Sequence, residues 1–329
     1  MLQPLHHRCH SPQELSGNAR KRDSLRKVLM KKEFAIGLDV GGTVLKAGSI
    51  DNLGMIYNRI ERRIDSRGAA DEILSAISAA IMEQLVWAEA RRIEVRGIGI
   101  AIGGPFDYEN GVSLIKDLDK YDSIYGYNVK EHLYSVLPVS RNIPIIFDAD
   151  SWSFARGEAK YGVGKVYGRG IVFTMGTGVG SAFFAEGRVV NEGPGVPWLG
   201  WISGQPFRDG ILNDYLSSLF MTKKYAELTG ATVDAAEIAK RAHAGDSAAQ
   251  SVYLEVGSTL AGFLAEHHMR EFLAECLIFG GQISKSFSFF APPLMRLKVE
   301  MPFLKAIIPA SDIDNNSLRG LASILLRDE

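Results

Sequence analysis

Two glycine turns, each lying between two strand-like stretches, constrain this chain more than any other feature. The first runs Ala35-Ile36-Gly37-Leu38-Asp39-Val40-Gly41-Gly42-Thr43-Val44-Leu45-Lys46-Ala47-Gly48. The second runs Ile171-Val172-Phe173-Thr174-Met175-Gly176-Thr177-Gly178-Val179-Gly180-Ser181-Ala182-Phe183-Phe184. A glycine turn lets backbone N–H groups converge on an anion with no Cβ in the way. The residues after each turn, Val44 to Ile50 and Ser181 to Ala185, read as a strand and not as a helix. That pattern excludes the commoner phosphate loops. A dinucleotide-binding turn needs G-x-G-x-x-G opening a helix, and neither turn has that spacing. A Walker loop needs G-x-x-x-x-G-K-[ST]; at Gly164-Lys165, Ala159 replaces the first glycine and Val166 the final Ser or Thr.

Either turn alone is as readily an ordinary hairpin as a phosphate site. A β-turn-β clip used twice implies two similar half-molecules facing one nucleotide across a cleft. Length and composition agree: 329 residues, 46% hydrophobic, can bury a sizeable core and favour two domains. The net charge of −1 gives no global basic field for nucleic acid or an anionic membrane. No apolar run approaches the ~18 residues of a membrane span. Cys9 and Cys276 alone are too few for a disulfide framework or a thiolate zinc site. A soluble, cytoplasmic protein is the expectation.

Residues 1–33 differ in character. Arg20, Lys21, Arg22, Arg26, Lys27, Lys31 and Lys32 stand against a lone Asp23, with no apolar core of a secretory signal. The expectation is a basic, unstructured leader, since a solvated charge run is the usual outcome. Beyond it the order is α/β. Strands are expected around Met55 to Ile64, at Gly97 to Ile102 ending in the Gly103-Gly104-Pro105 turn, and at Ile143 to Phe147. Ile73, Ile77 and Ile81 recur at helical spacing, and Glu109-Asn110-Gly111 signals a hairpin. Asp148 is expected to start a helix running to about Tyr161. A helix-rich stretch from about Leu212 to Met269 precedes the strand Cys276 to Phe279, and Ser317 to Leu326 reads as a closing helix. His6, His7 and His10 fall in the leader. The adjacent His267-His268 point apart on a helix and make no metal pair.

In order and spacing these segments resemble the ROK family of sugar kinases and sugar-responsive repressors, from Phe34 to the C-terminus. The resemblance rests on Leu38-Asp39-Val40-Gly41-Gly42-Thr43-x-x-Lys46, Phe147-Asp148-Ala149-Asp150, Gly176-Thr177-Gly178-Val179-Gly180 and Gly280-Gly281. It implies an α/β fold of two actin-like (ribonuclease H-like) ATPase domains flanking a nucleotide and sugar cleft. The expected partition is 34–147 plus a C-terminal helix in 312–329, against 148–311. It further implies ATP and Mg²⁺ as cofactors and a small-molecule sugar as partner, with homodimers as the family tendency. By this resemblance Asp39 orients Mg²⁺ through water. Gly41, Gly42 and Thr43, with Gly176, Thr177, Gly178 and Gly180, hold the phosphates. Gly280, Gly281 and Gln282 admit the adenosine. Lys46 is either a further cation near the phosphates or an exposed strand residue.

Asp148 is the expected general base, receiving the proton of a sugar hydroxyl. A helix N-terminus lowers the pKa of a carboxylate and weakens it as a base, which a late proton transfer tolerates. Position alone fits an N-cap equally well. Gly104, Asp117 and Asp150 are further candidates for sugar contact. Asp150 either grips a hydroxyl or repels Asp148 and raises its pKa.

Where most family members carry a Glu-x-Gly-His signature and a Cys-rich zinc loop, this chain reads Trp198-Leu199-Gly200-Trp201, with no Cys or His in 195–212. No zinc site is expected. Trp198 and Trp201 either stack on a ligand or pack a loop that has no zinc to hold it. Two functions follow: an ATP-dependent kinase for a hexose or N-acetylhexosamine, glucokinase-like by default, or a non-catalytic sugar sensor. Only 33 residues precede the first strand, fewer than a winged helix-turn-helix needs, so no nucleic-acid binding is expected.

Overall fold

A computed structural model describes residues 32–326. Within them are two five-stranded sheets of the same strand order. The first contains β1 (Phe34–Val40), β2 (Val44–Asp51), β3 (Ile56–Arg63), β4 (Val95–Ile102) and β7 (Ile145–Asp148), in the order β3-β2-β1-β4-β7. The hairpin β5 (Phe106–Asp107) and β6 (Val112–Ser113) stands off it. The second contains β8 (Arg169–Met175), β9 (Val179–Ala185), β10 (Arg188–Val190), β13 (Cys276–Gly280) and β14 (Ala306–Pro309), in the order β10-β9-β8-β13-β14. A second small hairpin joins β11 (Pro206–Phe207) to β12 (Gly210–Ile211). In each large sheet an antiparallel meander of three strands leads, and two parallel strands follow on the other side of the first. The repeat inferred from two glycine turns is thus a repeat of whole topology.

The central strands are buried on both faces, as parallel-type strands covered on both sides must be. β1 is closed apart from Asp39, and β13 is closed throughout. Outside the first sheet lie α1 (Ala70–Glu89) and α2 (Val129–Val136), which bury Ile73, Ile77, Ile81 and Leu133 against Leu38, Ile100 and Phe147. Outside the second lie α4 (Ser218–Thr229), α5 (Ala235–His243), α6 (Ser247–Glu266) and α7 (Phe287–Met295), around Phe173, Phe183 and Phe279. Asp234 and Asp246 cap α5 and α6 by accepting N–H groups of their first turns. The expected single helix-rich stretch is therefore three helices separated by capped breaks.

Between the sheets two helices cross. α3 (Asp150–Tyr161) lays Phe154, Ala155 and Ala159 on the second sheet. α8 (Asn316–Leu325) lays Leu318 and Ala322 on the first, against Ala35 and Ile50. They meet backbone to backbone. A Cβ on Gly157 would collide with the Asn316 carbonyl oxygen, and one on Gly320 would collide with that of Ser153. No other residue type fits either position. On this packing we propose 32–148 with 312–326, and 149–311, as the two lobes, the sequence boundary after 147 moving by one residue because Asp148 ends β7.

Glu158 ties α3 to the approach to α8. Its carboxylate accepts from Ser311 N (2.9 Å), Val163 N (2.8 Å) and Asn316 Nδ2. Lys32 and Glu33, assigned to the leader from sequence, belong to the folded unit. Lys32 Nζ pairs with Asp51 Oδ2 at 2.6 Å, and the Glu33 carbonyl accepts from Asn52 N. The rest of the leader, with Cys9, His6, His7 and His10, lies outside the described residues.

Candidate active site

The C-terminal ends of β1, β4 and β7 open side by side, and each delivers a turn. The first is Gly41-Gly42-Thr43, exposed at the β1–β2 tip and closed by Gly41 N donating to the Val44 carbonyl (3.0 Å). Tyr121 Oη donates to the Gly41 carbonyl at 2.6 Å and ties this turn to the 114–127 loop. The second clip, Gly176-Thr177-Gly178, is the β8–β9 tip. Val179 N donates to Asn213 Oδ1 there, and the Gly176 carbonyl receives Ser218 N from the start of α4. Gly180 backs directly onto Ser151, where a Cβ would lie 3.0 Å from the serine Cβ. The second clip therefore abuts the first turn of α3. Gly281, at φ +82°, turns the chain beside Met175, next to that clip, with Gln282 exposed beyond it.

Asp39 leads into the first clip. Burial pushes its carboxyl up to about 6, Lys46 pulls it down, and the charges of Asp150 and Asp314 add to the rise. Lys46 is not an exposed strand residue. It is partly buried and pairs with Asp314 Oδ1 at 3.3 Å, while Lys285, from beyond β13, reaches the other oxygen of Asp314 at 3.4 Å. The segment leading into α8 thus links β2 to the end of the second sheet.

The two carboxylates after β7 have different places. Asp148 is still in the sheet, in register with Ala101, and is 4% exposed. Its Oδ2 accepts from Ser153 Oγ (2.9 Å) and from Arg156 Nε (3.1 Å), both on α3. Burial raises its pKa, opposed by Arg156 and Ser153. The expected helix N-terminus does not act on it as a cap, because α3 begins at Asp150 with Ala149 as N-cap. Asp150 is exposed, and its Oδ1 accepts from Ser151 N at 2.7 Å. Its other oxygen lies against Gly103, 3.4 Å from where a Cβ would stand, with Lys120 Nζ 3.6 Å from the same point. Asp150, not Asp148, therefore shares the cleft with Asp39. The exposed Asp117 sits at φ +58° and makes none of the contacts that join Asp39, Asp150 and Gly103.

Beyond Gly104 the wall is aromatic. A Cβ on Gly104 would lie 3.0 Å from Tyr108 Oη, which donates to the Ile102 carbonyl (3.1 Å). Burial raises the Tyr108 pKa, helped by the charges of Asp150 and Asp148. Trp152, in the first turn of α3, stacks on Trp201 at 5.7 Å and 27°, and Trp198 meets Trp201 edge-on. Three of the four tryptophans in the chain thus gather at the start of α3.

Sequence reasoning missed Tyr108, Tyr121, Lys120, Arg156 and Trp152. Trp152 alone carried a local signal, an aromatic two residues after a helix-opening carboxylate. His268 is also corrected. It lies outside the helix at φ +66°, its Nδ1 2.8 Å from the Gly195 carbonyl and its Nε2 2.9 Å from Gln205 Oε1. Burial lowers its pKa. It braces the loop in which other family members, by the resemblance above, carry zinc.

Among the described residues no group of three or more His, Cys, Asp or Glu could hold a metal ion, and no helix is long and apolar enough to cross a membrane. A metal caged by protein therefore does not fit the donors at the cleft. A Mg²⁺ held chiefly by phosphate oxygens and water, with one carboxylate such as Asp39, does.

Two lobes with matching sheets around a central cleft make an α/β fold like that of solved ROK kinases. The chain belongs to the ROK family, whose sequence model matches residues 35–328. The chain is 23% identical over 323 residues to a glucokinase of Thermotoga maritima, covering 90% of this chain and 98% of that one. It is 27% identical over 199 residues to a β-glucoside kinase of Listeria monocytogenes, covering 58% of this chain and 62% of that one. The fold matches a ROK glucokinase of Streptomyces griseus, solved with glucose and AMPPNP, at TM-score 0.69 and 19% identity, over 90% and 100% of the two chains. It also matches a ROK transcriptional regulator, a homologue of the E. coli MLC protein, at TM-score 0.72 and 17% identity, over 90% and 78%.

Proposed function

We propose that this protein is an ATP- and Mg²⁺-dependent kinase that phosphorylates a hydroxyl of a hexose or N-acetylhexosamine, glucokinase-like by default. The observation that carries the reading is the pairing of two glycine clips with two carboxylates, Asp39 and Asp150, that face one cleft. Phosphoryl transfer is mostly positioning and electrostatics, and these residues can supply both. Within the two clips, Gly41 to Thr43 and Gly176 to Gly180, the backbone donors not already spent inside the turns, those of Gly42, Thr43, Thr177 and Gly178, are the ones for phosphate oxygens, with Gly280, Gly281 and Gln282 on the adenosine side. Asp39 is the carboxylate for Mg²⁺, which neutralises phosphate charge when bound.

We assign the base to Asp150 in place of Asp148. A base must reach the substrate; Asp150 is exposed in the cleft, whereas Asp148 is buried and its Oδ2 is tied to Arg156 and Ser153. The family resemblance to the glucokinase of Thermotoga maritima supports a sugar acceptor. The test is coupled ADP release with Mg²⁺-ATP across glucose, mannose, fructose, allose, N-acetylglucosamine, N-acetylmannosamine and no sugar. Asp150→Asn is expected to abolish sugar-dependent release while ATP still binds; full turnover in that variant refutes the assignment. The aromatic replacement of the sugar signature favours a second reading, a sugar sensor without turnover, for which sugars bind but no ADP appears.

A further inference from the structure

The cleft continues into an aromatic file that a free hexose does not need. Tyr108, Trp152, Trp201 and Trp198 follow one another with ring centroids 5.8, 5.7 and 5.7 Å apart. The file starts at the Gly103-Gly104 turn beside Asp150 and ends on Trp198, which is 78% exposed. One sugar ring is about as wide as one step of this file, so a monosaccharide at Asp150 leaves the outer rings uncovered.

The outer end is held firmly. Trp152 Nε1 donates to the Leu199 carbonyl at 3.0 Å. Ser181 Oγ donates to the Gly200 carbonyl at 2.7 Å and accepts from Ile202 N at 2.9 Å. Leu199 itself is held at φ +56°, a left-handed backbone that costs a non-glycine residue about 1–2 kcal/mol. A strained, anchored turn therefore presents a bare indole to solvent at the far end of a file that begins at a reacting group. An indole buried only by loop packing would not keep that surface. Large flat side chains fixed in advance bind rings with little further loss of conformational freedom.

We propose that Trp198 and Trp201 form an aglycone subsite, and that the acceptor is a glycoside whose second ring offers a flat apolar face. The inference rests on the kinase reading of the same site. The second ring is either an aryl group or another sugar presenting its C–H face. The sugar hydroxyl oxygen at Asp150 forms the new bond to the γ-phosphorus, and the bond from that phosphorus to the bridging oxygen of ADP breaks. The hydroxyl proton passes to the Asp150 carboxylate and then to water. The glycosidic bond is untouched, and no redox change occurs.

The experiment compares kcat/KM for free hexoses, their methyl glycosides, their phenyl glycosides and disaccharides, both anomers of each, beside tryptophan-fluorescence binding without nucleotide. Phenyl glycosides or disaccharides are expected to exceed methyl glycosides by at least about tenfold. Trp198→Ala should lower the ringed substrates about tenfold more than the methyl glycosides, and Trp198→Phe should retain most of the difference. An aryl advantage without a disaccharide advantage identifies the second ring as aromatic; the reverse identifies it as a sugar. Free hexoses turned over while all glycosides are refused overturns the subsite and leaves the kinase reading standing. Glycosides that quench fluorescence in the parent but not in Trp198→Ala, with no ADP released from any acceptor, overturn the kinase reading and keep the subsite. Losses in Trp198→Ala that are equal for every acceptor overturn the proposal.

Discussion

Asp39→Asn should make the protein more stable and less active. In the fold this carboxyl titrates at about 6 instead of 3.8, chiefly because burial disfavours its charge. A group whose folded pKa lies above its unfolded value contributes stability below the unfolded pKa and loses it as pH rises through the folded one. The interval from 3.8 to about 6, at about 1.4 kcal/mol per pH unit, sets an upper bound of about 3 kcal/mol. Asp39 keeps some solvent contact, so we halve this for screening to about 1–2 kcal/mol. An amide carries no such penalty. The asparagine variant should therefore unfold about 1.5–3 °C above the parent at pH 7.5, and the gain should shrink toward pH 4.5. Mg²⁺-nucleotide should then stabilise the parent more than the variant, since only the parent has a charge to neutralise. Parent turnover should fall as pH drops through about 6. A variant no more stable than the parent at pH 7.5, or a gain that does not change with pH, refutes the reasoning.

Two further outcomes separate the carboxylates and the helices. Arg156→Ala leaves the Asp148 carboxylate buried without its cation and should cost about 3–5 kcal/mol in urea unfolding, with the double variant Asp148→Asn, Arg156→Leu recovering part of the loss. Gly320→Ala puts a methyl group onto the Ser153 carbonyl and should cost at least about 1–3 kcal/mol, while the exposed Gly187→Ala, at φ +71°, should cost only about 1 kcal/mol of local strain. Denaturant midpoints of the two variants give the comparison.

The clips were legible because their signal is local. Glycine spacing and strand alternation placed Gly41 to Thr43 and Gly176 to Gly180 at hairpin tips; Gly41 to Thr43 and Gly176 to Gly178 stand there, and Gly180 lies just inside β9. The hairpin at Glu109-Asn110-Gly111 and the closing helix were legible for the same reason. The identity of the cleft carboxylate was not. Asp148 and Asp150 differ by two residues, and only the point where β7 yields to α3 decides which faces the cleft; alternation cannot place that point. Nor could the sequence pair Lys46 with Asp314, since that contact depends on how the chain returns to the first sheet after β14. The aromatic file is likewise assembled from the β5–β6 hairpin, α3 and the 198–201 turn, which only the tertiary fold brings together.

The meeting of α3 and α8 as bare backbones has a mechanical consequence. Helices that interlock side chains must climb over one another to change angle, whereas α3 and α8 meet through bare backbone at Gly157 and Gly320, with the Glu158–Asn316 hydrogen bond as the pin about which they can turn like a pair of scissors. Asp150 lies seven residues from Gly157, a lever of about 10 Å. A turn of about 10° at the crossing therefore swings that carboxylate by nearly 2 Å, about the difference between a hydrogen bond and an empty gap. The same pair of missing methyl groups that lets the sheets stack this closely also sets the fineness with which the jaws can be adjusted.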